Sequence, residues 1–107
     1  MKKNLAWNAK TANLIAMKPT TSTTSPYSET LSETLQKFVS FVENESNATF
    51  EDDPQEMFCF FPPVNYGQTF SKSYPLKSYK GKPTKKWAHM VIYRMESGKY
   101  ELTNYIL

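Results

Sequence analysis

Apolar residues recur at two different periods along this chain, and the change of period marks its elements. Tyr27, Leu31, Leu35, Phe38 and Val42 are spaced four, four, three and four, which places them on one stripe of an amphipathic helix. Ser25-Pro26 supplies its start, because a serine side chain caps free N–H groups and a proline at the first helical position loses no needed donor. Glu29 and Glu33 suit the positive end of the helix dipole. The pattern predicts about five turns, ending near Glu43.

Beyond the helix the pattern is that of extended chain. Met57-Phe58-Cys59-Phe60-Phe61 is apolar on both sides of a strand and is stopped by Pro62-Pro63, which predicts a central strand covered on both faces, or one whose second face meets a partner. Val64 to Gly67 reads as a turn. Gln68 to Tyr74 sets Phe70, Lys72 and Tyr74 against Thr69, Ser71 and Ser73, a half-exposed strand, and Pro75 to Lys86 reads as a loop punctuated by Gly81 and Pro83.

Trp87 to Leu107 reads as a β-hairpin. With Ser97-Gly98 as a two-residue loop, Glu96 faces Lys99, Arg94 faces Glu101, Ile92 faces Thr103 and Met90 faces Tyr105. Two opposite-charge pairs then share one face. The other face holds Trp87, His89, Val91, Tyr93 and Met95 with Tyr100, Leu102, Asn104 and Ile106, and is expected to be the core side. The C-terminal strand could leave an edge open to another chain.

The first segment, Asn4 to Lys18, alternates as Leu5, Trp7 and Ala9 but also repeats helically as Leu5, Ala9, Ala12 and Ala16; strand, turn, strand is the reading adopted. Thr20 to Ser25, all Thr and Ser, reads as a linker, so residues 1–24 form an N-terminal segment of uncertain structure. The expectation is one α+β domain over residues 1–107, its helix packed on a small antiparallel sheet that includes the hairpin. The expected core is Leu31, Leu35, Phe38, Val42, Phe58, Phe60, Val91, Tyr93 and Leu102.

A length of 107 residues suits one domain, and an aromatic content of 15% lets a few large rings dominate its core. Cys59 is the sole cysteine, so neither an internal disulfide nor a multi-cysteine zinc site can form within one chain. Polar Asn4, Asn8, Lys10, Thr11 and Asn13 interrupt any apolar N-terminal run, so no signal peptide or membrane span is expected and a reducing, cytoplasmic location is. The sequons at Asn44 and Asn47 are then chance matches.

Charge is segregated along the chain: residues 1–28 carry +4, residues 29–56 carry −7 and residues 57–107 carry +6. Such blocks often mark surfaces that meet charged partners. Lys72, Lys77, Lys80, Lys82, Lys85 and Lys86, interleaved with Tyr74, Tyr79 and Trp87, form a stretch without an acid. Lysines neutralise phosphates while aromatic faces stack on unpaired bases, the mixture found in single-strand grooves; the same lysines would also serve solubility alone. Arginine, preferred for specific base and phosphate contacts, occurs once, at Arg94. The acidic block, with Glu29, Glu33, Glu43, Glu51, Asp52 and Asp53, could instead imitate a nucleic acid and dock on a basic groove, or simply be a solvated face.

Catalytic candidates are few. His89, the one histidine, falls on the expected core side, and Cys59 sits between Phe58 and Phe60, where apolar surroundings leave a thiol inert. Glu51, Asp52, Asp53 and Glu56 could gather a divalent cation for a small enzyme, but lack calcium-loop spacing. Gly81-Lys82-Pro83-Thr84 lacks the spacing of a phosphate loop. No catalytic residue, cofactor or metal site is assigned. Small size, many aromatics and blocked charge resemble the general style of inhibitors carried by phages and mobile elements, a likeness of composition without a family motif. The expectation is a non-enzymatic binding protein that inhibits or modulates a macromolecular partner, a protein before free nucleic acid. A single-stranded DNA or RNA module using residues 72–87 is the first alternative.

Overall fold

Thr30, not Ser25, starts the helix. A computed structural model describes residues 25–107, so the readings of Asn4 to Lys18 and of Thr20 to Thr24 lie outside the described residues. The Thr30 hydroxyl accepts from the Glu33 N–H at 3.1 Å, and the Glu33 carboxylate accepts from the Glu29 N–H at 3.1 Å, a variant of the reciprocal capping box. Ser25 to Ser28 are claimed by the sheet: Tyr27–Ser28 forms β1, pairing with Glu101 and Tyr100, and Leu102 N–H donates to the Pro26 carbonyl at 2.8 Å. A Ser-Pro start is therefore overridden where an edge strand offers its own ladder.

The helix α1 spans Leu31–Ser40 and passes into a π-type turn at Phe41–Glu45. Asn47 at φ +52 reverses the chain after it, as a short polar side chain tolerates the left-handed region. Thr34, Phe38 and Val42 are fully buried, so the buried stripe follows the predicted spacing of four, while Leu31 and Leu35 lie half-buried on its flank and Tyr27 is not helical.

Then follow β2 (Ala48–Phe50), α2 (Pro54–Met57), β3 (Thr69–Tyr79), β4 (Lys82–Pro83), β5 (Trp87–Arg94) and β6 (Tyr100–Ile106). The sheet is antiparallel in the order β1-β6-β5-β3-β2, with β4 also on β3. This is the α+β arrangement expected, a helix on a sheet that contains the C-terminal hairpin. Two elements differ from expectation. Met57 to Phe61 is no strand, because Asp53 caps a helical turn through the Gln55 N–H at 2.9 Å with Pro54 at its first position. Phe58 and Phe61 turn back onto the sheet, packing at 5.9 Å on each other and at 5.6 Å and 4.9 Å on Tyr74 and Phe70, while Phe60 is left 94% exposed. Second, β3 continues through Pro75 to Tyr79, with a register shift opposite Thr49/Phe50 that leaves Lys77 unpaired on β2.

The hairpin exists, but its register is one residue from the expected one. Met95 N–H donates to the Lys99 carbonyl at 2.8 Å and Gly98 N–H to the Met95 carbonyl at 2.9 Å, so the loop is the three residues Glu96, Ser97 and Gly98, with Gly98 at φ +96. Arg94 consequently faces Tyr100, Ile92 faces Leu102 and Met90 faces Asn104. A shift of one residue between strands changes which side chains share a face. Tyr100 and Leu102 are core residues as expected, but on β5 it is Ala88, Met90 and Ile92 that are fully buried, not Val91 and Tyr93. The expected charge pairs do not form. Arg94 lies between the rings of Tyr66 and Tyr100, at 4.3 and 4.8 Å, and donates to the carbonyls of Val64 and Gly98, whereas Lys99 pairs with Glu29 at 3.5 Å.

Around Phe38 the core closes with Phe50 at 5.7 Å and Tyr74 at 5.9 Å, joined by Ala48, Val64 and Leu76. All of these lie on the helix side of the sheet. No described element covers the opposite side.

Candidate functional site: the open face of the sheet

Cross-strand register lays out the open face as four rows. Pro75 faces Trp87, which exchanges two 3.0 Å hydrogen bonds with Leu107; Ser73 faces His89 and His89 faces Tyr105; Ser71 faces Val91 and Val91 faces Thr103; Thr69 faces Tyr93, then Glu101, then Tyr27. At ~3.3 Å per residue and ~4.8 Å between strands this is a surface of about 20 by 14 Å. Trp87, Tyr105 and Tyr27 are each about 45% exposed and Leu107 is 75% exposed. Glu101 is the only charged side chain in these rows. Both α1 and the Met57 to Phe61 segment pack against the core on the other side.

His89 is held at the centre. Its Nδ1 and the Ser73 hydroxyl lie 2.6 Å apart, and its ring stacks on Tyr105 with centroids 4.7 Å apart and planes 17° from parallel. The core-side placement expected for His89 is therefore corrected: it is half-buried on the open face. A Ser–His hydrogen bond is one part of nucleophilic catalysis, which also needs donors aimed at a developing oxyanion. Here β5 lies between β3 and β6, so its amides are committed to the ladders on either side. The hydrogen bond and the stack hold the two rings in place, and the β5 amides beside them are not free to serve as such donors.

Sequence reasoning assigned none of His89, Tyr105 or Tyr27 to a site. For His89 the signal that could have found it is the single residue of loop length that sets the register; Tyr105 already lay off the expected core side, and Tyr27 was hidden by reading Ser25-Pro26 as a helix start. Of the basic candidates, Lys77, Tyr79, Lys80, Lys82, Lys85, Lys86 and Trp87 gather at one end of the sheet. Lys80 and Gly81, both at positive φ, make the turn between β3 and β4, and the ammonium groups of Lys80 and Lys86 sit 5.2 and 5.7 Å from the Tyr79 ring centroid. Lys72 stands apart, about 16 Å along β3 from Lys77, over Tyr74 and opposite Met90.

The acidic candidates divide among three places. Glu29 and Glu33 are engaged at the start of α1, Glu43 lies at its far end, and Glu51, Asp52 and Asp53 lie in the link to α2, where Asp53 is the cap. Among the described residues no group of three or more His, Cys, Asp or Glu is placed to hold a metal ion. Cys59 is exposed, so the expectation that an apolar setting keeps it inert does not hold. A groove of about 700 Å³ lies between α1 and α2, lined by Leu31, Leu35, Val39, Pro54 and Phe58 with a polar rim that has no charged residue. No helix among the described residues is long and apolar enough to cross a membrane.

No protein-family model, curated protein or solved structure matches the chain.

Proposed function

We propose that the chain is a non-catalytic binding protein that presents the open sheet face to a macromolecular partner and modulates that partner by occupying it. The observation that carries this reading is the exposure of Trp87, Tyr105 and Tyr27 on one side of the sheet, in rows whose only charged side chain is Glu101. Aromatic side chains dominate interface energetics because each buries a large area with a polar handle at its edge. A patch of this kind left in water is the usual mark of an interaction surface.

The test is capture from the native host with wild type, with Thr103→Glu at the centre of the face, and with Gln36→Arg on the rim of the α1 groove. Both substituted positions are exposed, so circular dichroism should show unchanged folds. Thr103→Glu should lose the captured partner at least tenfold while Gln36→Arg retains it. Retention by Thr103→Glu with loss by Gln36→Arg would move the site to the groove.

A further inference from the structure

We infer that the partner is a single-stranded nucleic acid, its bases stacking on Trp87 and Tyr105 and its phosphates held by the lysines at the Trp87 end; this rests on the open-face reading above. Trp87 and Tyr105 are diagonal neighbours on adjacent strands, since Trp87 is opposite Leu107 and His89 opposite Tyr105. Diagonal pairs are about 7–8 Å apart, a separation that consecutive bases of an unstacked strand can bridge. Stacking on His89 fixes the plane of the Tyr105 ring, leaving its other surface to a ligand.

Past the end row of the face, Pro75 and Trp87, β3 runs beyond the end of β5 to Tyr79 and the chain returns through β4 and the link to Trp87. Between Pro75 and Trp87 lie Lys77, Lys80, Lys82, Lys85 and Lys86, all exposed and with no acid in the interval. The carboxylate of the face, Glu101, is in the row farthest from them. Apolar rings and cations thus lie toward the same end of the sheet, Lys80 and Lys86 standing over Tyr79 just beyond the Trp87 row, the complement of a strand whose bases and phosphates are separately accessible.

A duplex does not fit this division. It offers phosphates outside and base edges within its grooves, whereas the open face carries no lysine or arginine and projects ring surfaces, which need unpaired bases. Because the single arginine, Arg94, is engaged by Tyr66, Tyr100 and two carbonyls, it is not offered for bidentate base contact, and sequence preference should be weak.

Fluorescence anisotropy with labelled oligo(dT) and oligo(rU) of about 12 nucleotides, within the range of single-domain sites, tests the inference. Both should bind at low salt and neither should be matched by a duplex of equal length. Affinity should fall with salt at a log–log slope of about −0.7 per phosphate contacted, near −2 for three contacts. Trp87→Ala and Tyr105→Ala should each weaken binding by about 5- to 150-fold with the slope unchanged, while Lys82→Glu with Lys85→Glu should flatten the slope. Thr103→Glu, whose carboxylate repels phosphate at the centre of the face, serves as the second face variant if Trp87→Ala unfolds. Failure to bind either oligomer at low salt overturns the inference, as does equal binding of duplex that ignores the ring variants. A captured partner that survives nuclease but is lost with Thr103→Glu would keep the binding reading and overturn this one. Sedimentation showing self-association that Tyr105→Ala abolishes would give the face to a second copy and also overturn it.

Discussion

On one side of β5, Ala88, Met90 and Ile92 are fully buried; on the other, Trp87, His89, Val91 and Tyr93 are half-buried or exposed. The second set is larger and more aromatic than the first, so hydrophobicity does not decide which side enters the core. What decides is the helix. Phe38 and Val42 cover one face of the sheet, and an antiparallel sheet closed by short loops has only as many covered faces as it has layers to cover them. Apolar residues left on the uncovered side are then free to serve binding.

The largest effect that can break this comparison is on stability. Ile92→Ala should cost about 2–5 kcal/mol, as truncation in a filled core does, while Val91→Ala should cost about 1 kcal/mol or less; denaturant midpoints measure both. The opposite order would restore the register in which Arg94 faces Glu101. Next, Gly98→Ala should cost about 1–3 kcal/mol, because φ +96 lies where a side chain is strained. A neutral result would mean that this three-residue loop does not hold the register.

Tyr74 sharpens the comparison from the covered side. Its hydroxyl is buried with no hydrogen-bond partner among the described residues, and burial pushes its pKa from 10.0 to about 12. Tyr74→Phe should therefore raise stability by about 1 kcal/mol at neutral pH. Below pH 10 the phenol is neutral in both folded and unfolded chains. As pH rises from 10 towards 12 the unfolded chain releases a proton that the folded one keeps, so stability is lost across that window. Thermal melts should show a shallower loss there for the phenylalanine variant. The smallest effect belongs to Lys99–Glu29, an exposed pair at 3.5 Å: Lys99→Met should change stability by less than about 1 kcal/mol and be insensitive to added salt beyond that.

Some local rules were legible and others collided. Proline after a capping residue marks a helix start at Asp53-Pro54 but not at Ser25-Pro26, although the two dipeptides look equivalent. Residues following Ser25 had an alternative ladder on β6, and the Thr30 and Glu33 pair downstream offered a better cap. In the candidate site the lysine cluster and Trp87 were visible as composition. His89 and Val91 were hidden by the assumed loop length, because two plausible charge pairs supported the neighbouring register, and Tyr27 by the Ser25-Pro26 helix start.

By itself the sequence determined the amphipathic helix through Phe38 and Val42, the existence of the hairpin, the strand leading to Tyr74 and the helix-on-sheet class. These follow from local period and turn chemistry, which act within a few residues. Tertiary structure alone decided which face of the sheet the helix covers, that Phe58 and Phe61 fold back as a helical turn and that Trp87, His89 and Tyr105 stand together on the open side. A one-residue register change alters little of the local pattern but reassigns every side chain of a strand to the other face. Only packing against the rest of the molecule distinguishes the two.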